Sequence, residues 1–458
     1  MMETLLFSQG TLLVNQEPAP ALQSFFTFDP RTRQWRAPAH AYRDILLTAR
    51  EAGISFVDEA KGYETLHLQL QTPIIPRPHQ TAALDAWYKA LQKGVVALPT
   101  GAGKTILAVM VIAKVQRSTL IVVPTLDLVQ QWRTVLAQFF GQEIGVLGGG
   151  ERKIAPLTVA TYDTAKLMVE HIGNQFGLLI VDECHHLPAP FYQLIGLASI
   201  APFRLGLSAT LERSDGGEER LFELMGELVY EAHIGDMVDH VLAPYDVVLI
   251  EVTLHEQERA AYQQARGLYV QFLRKNGVQM GGPEGWRRFI FLASRNEEGR
   301  SAFKAYREQK HIAQAASAKL EAIWNILSSH STESTLIFTD DNLTAYRIGC
   351  ELFLPVLTHK TKPQERKNML DAFRAGTLKV LVTSKVLNEG VDVPQAQVGV
   401  VVSGSGVIRE HVQRLGRILR HQPGKRAVLY EVVSKDTNEQ FVNQRRRQHH
   451  AYQRSPSV

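Results

Sequence analysis

A chain of 458 residues is too long for a single hydrophobic core, and at about 150 residues per domain it should fold as roughly three units. Hydrophobic and charged contents of 45% and 21% are those of a soluble globular protein, and a net charge of +4 excludes coating nucleic acid by bulk charge, so any such site must be a local patch. Two cysteines, Cys184 and Cys350, cannot build a zinc cage or a four-cysteine iron–sulfur cluster, and with no apolar run near the roughly 20 residues of a membrane span a cytoplasmic location is expected.

Residues 1–74 read as a small α+β domain. Leu5-Leu6-Phe7 and Thr11–Val14, split by Gly10, predict a hairpin, and Ala39–Ala52 predicts an amphipathic helix stopped at Gly53. Pro73, Pro76 and Pro78 make a stiff junction. Over residues 75–235, short β-branched runs at Val95–Leu98, Leu120–Val123, Thr158–Ala160, Leu178–Val181 and Leu205–Ser208 alternate with helical stretches, the pattern of a parallel sheet covered on both faces. Residues 236–458 carry a second set at Leu336–Thr339, Lys379–Thr383, Gly399–Val402 and Ala427–Val433. It is preceded by a helix-rich insertion at about 255–330 that breaks near Asn276–Gly285. The fold class is α/β: two tandem parallel-sheet domains, a small N-terminal α+β domain and a helical insertion.

Strand, glycine loop and helix follow one another at Val95–Leu98, Pro99-Thr100-Gly101-Ala102-Gly103-Lys104-Thr105 and Ile106 onward. Gly101 and Gly103 let backbone N–H groups turn toward anionic oxygens, and the helix end adds its positive pole. Lys104 can reach the outer phosphates of a nucleoside triphosphate, and the Thr105 hydroxyl can ligate Mg²⁺. Leu98 stands where the strict phosphate-loop pattern has glycine. Farther on, Asp182 and Glu183 close a buried strand, where open α/β sheets bind ligands. There Asp182 can hold Mg²⁺ and Glu183 can orient and deprotonate water. His185 is assigned to coupling, whereas His186 receives no role. Gln413 to Arg420 places Arg417 and Arg420 on one helical face, suited to a γ-phosphate as its charge spreads.

In chain order these residues match superfamily 2 helicases: Leu98–Thr105, Pro124-Thr125 to Gln131-Trp132, Asp182–His185, Ser208-Ala209-Thr210, Thr383 through Gly390 and Asp392, and Gln413–Arg420. The resemblance implies two RecA-like domains with ATP between them and Gln413 in the catalytic set. It implies adenine contacts from Arg77 and Gln80, a second-domain contribution from Gly390 and Asp392, and coupling through Ser208 and Thr210. Thr125, Thr161 and Thr383 match positions that touch the nucleic-acid backbone. Within the superfamily the chain resembles the XPB-type DNA helicases in their shorter form. Asp29-Pro30-Arg31 and Tyr42-Arg43-Asp44-Ile45 are similar to their small damage-recognition domain, and the helical stretch is placed like their thumb. Those helicases carry an Arg-Glu-Asp loop implicated in strand separation. Here Arg213-Ser214-Asp215 keeps the outer residues and lacks the central acid.

Trp286, Arg287 and Arg288 mix an aromatic with cations, as a single-strand contact would; the other reading is one amphipathic turn with Trp286 in a local core. Arg31, Arg33 and Arg36 around Trp35 read as a basic loop in which Trp35 either wedges between bases or packs within the domain, and Arg445–Arg447 read as a solvated helix end. The expected function is ATP- and Mg²⁺-dependent 3′-to-5′ movement on single-stranded, forked or bubbled DNA, in repair, by a monomer with a nuclease as a plausible partner. Three alternatives remain open: a double-strand translocase without efficient unwinding, an ATP-gated clamp on damaged DNA, and action on RNA.

Overall fold

The computed structural model describes residues 3–209, 216–232, 245–280, 282–384, 396–402 and 427–440. They fall into two compact units that divide after Ala232.

At Gly10 the backbone takes a φ of +72°, open to glycine, and the chain turns back on itself. Glu3–Ser8 and Thr11–Val14 therefore pair antiparallel as the expected hairpin. They join Thr27–Asp29, Gln34–Pro38 and Phe56–Asp58 in a five-stranded sheet. The predicted helix runs Tyr42–Glu51, entered by a single tighter turn at Ala39–Ala41 and left at Gly53 with φ +66°. Its apolar face, Tyr42, Ile45 and Ala49, closes a core with Leu5, Leu12, Val14 and Phe26.

Beyond this sheet the chain does not swing free. Residues 62–71 run as an extended strap along the amino ends of the next sheet's strands. Gly62 N donates to Asn174 O at 3.1 Å, Leu66 N to Gln116 O at 2.9 Å and Gln71 N to Phe139 O at 2.7 Å. From the helix, Arg43 reaches the carbonyls of Leu91 and Pro202 at 2.6 and 3.1 Å. Ile200, from the following α/β layer, is part of the N-terminal core. The small domain is thus bonded to the amino-end edge of the first α/β sheet.

That sheet has eight strands in the order Leu228–Glu231, Lys93–Ala97, Phe203–Ser208, Leu178–Asp182, Thr119–Val123, Leu157–Thr161, Gly145–Gly148 and Glu151–Lys153. All neighbours are parallel except the last pair. The central strands are buried along their whole length, which is why they read as unbroken apolar runs. Because every crossover returns to the same edge, the strand ends at Ala97, Val123, Thr161, Asp182 and Ser208 gather there.

In the second unit, Tyr245–Val252, Ala427–Ser434, Val398–Val401, Thr335–Phe338, Val380–Thr383 and Val356–Leu357 form a six-stranded parallel sheet in that order. Four helices fill the insertion: Glu256–Lys275, Gly282–Ala293, Glu297–Gln314 and Ser317–Ser329. The predicted break appears between Lys275 and Gly282. The first three share their own core around Tyr269, Phe272, Phe289 and Ala302. Ser317–Ser329 instead sends Ile323 and Ile326 into the sheet's core beside Ile337 and Val400.

Candidate nucleotide-binding site

Gly101 and Gly103 have φ of 88° and 89°, so the loop takes a shape that a side-chain-bearing residue would strain. Gly103 precedes the helix Lys104–Val115, whose first N–H groups open toward the loop. Two side chains from the helix Pro78–Lys89 hold the loop from behind. Gln80, 2% exposed, donates to Gly103 O at 3.1 Å and accepts from Arg77 N at 2.9 Å; His79 Nε2 bonds Ala102 O at 2.8 Å. A Cβ on Gly103 would lie 2.4 Å from Gln80 Nε2, so the clamp and the glycine require each other. Gln80 thus braces the loop, a role beyond the expected base contact. Thr100 and Thr105 are half-buried, and Arg77 is exposed.

Lys104 Nζ donates to Leu98 O at 3.2 Å and lies 3.9 Å from Glu183 Oε1. Leu98 N in turn bonds Ser208 O at 2.9 Å. Asp182 ends its strand buried, accepting from Trp132 Nε1 at 3.0 Å on Oδ2 and from Glu183 N at 3.0 Å on Oδ1. Burial and then the neighbouring Glu183 carboxylate push its pKa up to about 6, against the pull of Lys104 and the indole N–H. Glu183 sits at φ +48°, turning the chain sharply into the short helical turn Cys184–His186. Its Oε2 is buried and accepts no hydrogen bond among the described residues. His185, fully buried, shares a 3.0 Å hydrogen bond with Ser208 Oγ and places Nδ1 3.5 Å from Glu183 Oε2. Two of the three residues assigned to coupling, His185 and Ser208, therefore touch each other.

Asp182 and Glu183 together carry one more charge than Lys104 can offset when all three are ionised. Each Asp182 oxygen, having taken one hydrogen bond, keeps a lone pair. The pair therefore fits a divalent cation with the phosphates of a nucleotide, and a glycine loop at a helix amino end fits the phosphates themselves.

Thr125 and Thr161 cap the helices Leu126–Phe140 and Tyr162–Ile172, accepting from Leu128 N at 3.3 Å and Thr164 N at 3.2 Å. Gly148 lies between them: a Cβ there would come 3.0 Å from Thr161 Cγ2 and 3.1 Å from Leu126 Cδ2. Thr383, in the second unit, is fully buried, and its hydroxyl donates to Ser384 O at 3.0 Å. Trp286 is 38% exposed and still packs on Phe289 and Tyr306, at ring distances of 5.7 and 5.2 Å. The packing is that of the local-core reading, with part of the ring left exposed. Arg287 and Arg288 project from its exposed side. Thr210, Arg213, Asp215, Gly390, Asp392, Gln413, Arg417 and Arg420 lie outside the described residues, as do Arg445–Arg447.

Sequence reasoning missed Trp132, His79 and Tyr162 as parts of this site. Tyr162 Oη donates toward the carbonyls of Asp182 and Glu183, each at 3.1 Å. The signal available was position alone: Trp132 follows Thr125 by two helical turns, and Tyr162 follows Thr161 directly.

Phosphate loop, carboxylate turn and Ser208 meet at the carboxyl ends of one parallel sheet, in a chain that carries a second such sheet. That combination belongs to the helicase-like ATPases of superfamily 2. Residues 5–60 match the family model of the Xeroderma pigmentosum group B helicase damage recognition domain, residues 73–213 that of the type III restriction enzyme, res subunit, and residues 301–454 that of the ERCC3/RAD25/XPB C-terminal helicase. A DNA 3'-5' translocase XPB2 of Sulfurisphaera tokodaii is 37% identical over 421 residues, covering 91% of this chain and 95% of that one. A DNA 3'-5' helicase XPB of Mycobacterium tuberculosis is 33% identical over 79% of this chain, which spans 61% of that protein. The solved helicase domain of Pyrococcus furiosus Hef shares the fold, with a TM-score of 0.53 at 18% identity over 81% of this chain and 97% of that one. The chain belongs to the XPB family of superfamily 2 helicases.

Proposed function

We propose that this chain is an ATP-driven DNA motor that moves 3′ to 5′, serving DNA repair. The observation that carries the reading is the turn at Glu183: a buried carboxylate oxygen that accepts no hydrogen bond among the described residues, beside the phosphate-loop lysine. Such an oxygen is costly to leave unpaired unless something is to occupy it, and an attacking water fits. Bound ATP with Mg²⁺ supplies the phosphoryl bond whose cleavage drives the cycle. Lys104 and the loop amides orient its phosphates, Thr105 and Asp182 hold the cation, and Glu183 takes the proton from water. By the family pattern Arg417 and Arg420 act on the γ-phosphate as its charge spreads, which makes turnover depend on them. Thr125 and Thr161 meet the DNA backbone and not the bases, so affinity is independent of sequence; Thr383, fully buried, is removed from that set.

ATP turnover measured with and without single-stranded, forked and bubbled DNA and RNA tests this reading, with strand displacement followed in parallel. DNA should raise the rate several-fold, to the order of 1 s⁻¹ or more; no stimulation by any nucleic acid would sink it. Arg420→Ala should retain ATP binding and lose about 10³-fold in turnover, the scale of an arginine finger. Normal turnover in that variant would remove the second domain from the chemistry.

Ser214 favours a second reading, a translocase on duplex DNA that does not separate strands, because the Arg213-Ser214-Asp215 loop lacks its central acid. Displacement of a third strand from a triplex without unwinding of a fork would decide for it.

A further inference from the structure

We infer that Trp132 and Tyr162 are positioning residues that transmit DNA engagement at the helix ends capped by Thr125 and Thr161 to the Asp182–Glu183 turn. This rests on the reading of that edge as the DNA track. Thr125 heads the helix Leu126–Phe140, and Trp132, seven residues on, lies two turns away along nearly the same face, roughly 10 Å by helical rise. Its indole, 1% exposed, spends its single N–H on Asp182 Oδ2 at 3.0 Å. Buried indoles commonly find an acceptor; here the acceptor is the carboxylate at the strand end, not a structural carbonyl.

Tyr162 makes the second connection. It opens the helix that Thr161 caps, and its one hydroxyl proton is shared between two carbonyls at the same 3.1 Å, those of Asp182 and Glu183. Those carbonyls flank the residue held at φ +48°. A side-chain-bearing residue stays in that conformation only where its surroundings hold it. The hydroxyl is one such restraint, and its balance between the two carbonyls sets where the Glu183 carboxylate points. Both helices start beside Gly148, which stands within 3.0 and 3.1 Å of Thr161 and Leu126 by the position its Cβ would take. A phosphate seated at that edge therefore draws on both helix ends together. A shift of a few tenths of an ångström at either end alters a bond to the carboxylate turn.

Tyr162→Phe removes the hydroxyl and keeps the ring against Tyr192 and His186, at 5.0 and 5.9 Å. With the full chain and oligo-dT as probe, the ratio of DNA-stimulated to basal ATP turnover should fall about fivefold, the size of one net hydrogen bond. Affinities for oligo-dT and for a fluorescent ATP analogue should stay within about twofold of wild type. Trp132→Phe should act in the same direction. A purely structural role would lower both rates by one factor and preserve the ratio, which overturns the inference, as does an unchanged ratio with unchanged rates. Should Trp132→Phe fold poorly, Tyr162→Phe alone decides. A wild-type chain that DNA does not stimulate removes the motor reading and this inference with it. A stimulated wild type with the ratio intact in Tyr162→Phe removes the inference alone.

Discussion

Glu183→Gln is expected to cut ATP turnover by about 10³-fold while nucleotide binding stays near that of the wild type. The two side chains have one shape, so the left-handed backbone at position 183 and the packing of Cys184 and His185 need not change. What is lost is the only buried carboxylate oxygen beside the phosphate loop that accepts no hydrogen bond among the described residues. The amide cannot take a proton from water. It also removes the negative partner 3.9 Å from Lys104, freeing that lysine for phosphate, so binding should tighten if it changes at all. Phosphate release under saturating ATP gives the first quantity, and a fluorescent analogue gives the second. Turnover within tenfold of wild type would move the base to another residue. Because the motor reading requires hydrolysis to reset the DNA grip, the same variant should bind DNA stably with ATP present and fail to move along it.

The second large effect concerns stability. Arg204→Ala should cost the first unit roughly 3–5 kcal/mol, read as a fall in its urea midpoint. Arg204, 2% exposed, stands near the start of the strand that delivers Ser208. Its guanidinium donates to four main-chain carbonyls, Ala201, Gly196, Leu224 and Ser199, at 3.1, 3.0, 2.6 and 2.7 Å. Burial lowers its pKa to about 10, which leaves it charged at neutral pH. Those carbonyls close the ends of segments that converge from Gln193–Leu197, the following loop and Glu218–Met225. Truncation would leave them facing a dry cavity, each costing on the order of 1–3 kcal/mol until water enters. Arg204→Lys should restore little, since an ammonium cannot span four acceptors in a plane. A loss below about 1 kcal/mol in the alanine variant would mean that water already serves these carbonyls. Because this network lies at the amino ends of the strands, the nucleotide site should keep its intrinsic rate in whatever fraction folds.

Residue order and composition suffice for a large part of this site. The φ values at Gly101 and Gly103 follow from the need to turn N–H groups inward, a local demand that only glycine meets cheaply. Asp182 and Glu183 are legible because the apolar run Leu178–Val181 reads as a central strand whose end must face the ligand edge. The hairpin at Gly10 and the helix ending before Gly53 were equally legible, since each rests on its own few residues. Other elements were not. Gly145–Gly148 is short and flanked by glycine, so only its pairing with Leu157–Thr161 and Glu151–Lys153 makes it a strand. The pattern of Tyr245–Val252 means little until Ala427–Ser434 lies beside it over all eight residues.

The phosphate loop, the carboxylate pair and the parallel-sheet alternation were thus determined by the sequence itself, because each depends on near neighbours and on a repeating pattern of burial. Tertiary structure alone decided that Trp132 meets Asp182 across 50 residues, that Tyr162 braces the Glu183 turn and that His185 bonds Ser208. It alone decided that Ser317–Ser329 packs on the second sheet rather than with the three helices before it, and that the N-terminal domain is strapped to the strands' amino ends. Such contacts join residues whose only relation is the crossover geometry of the sheet. No local pattern encodes which side chain will arrive where two distant strands end, so the chemistry was readable and its bracing was not.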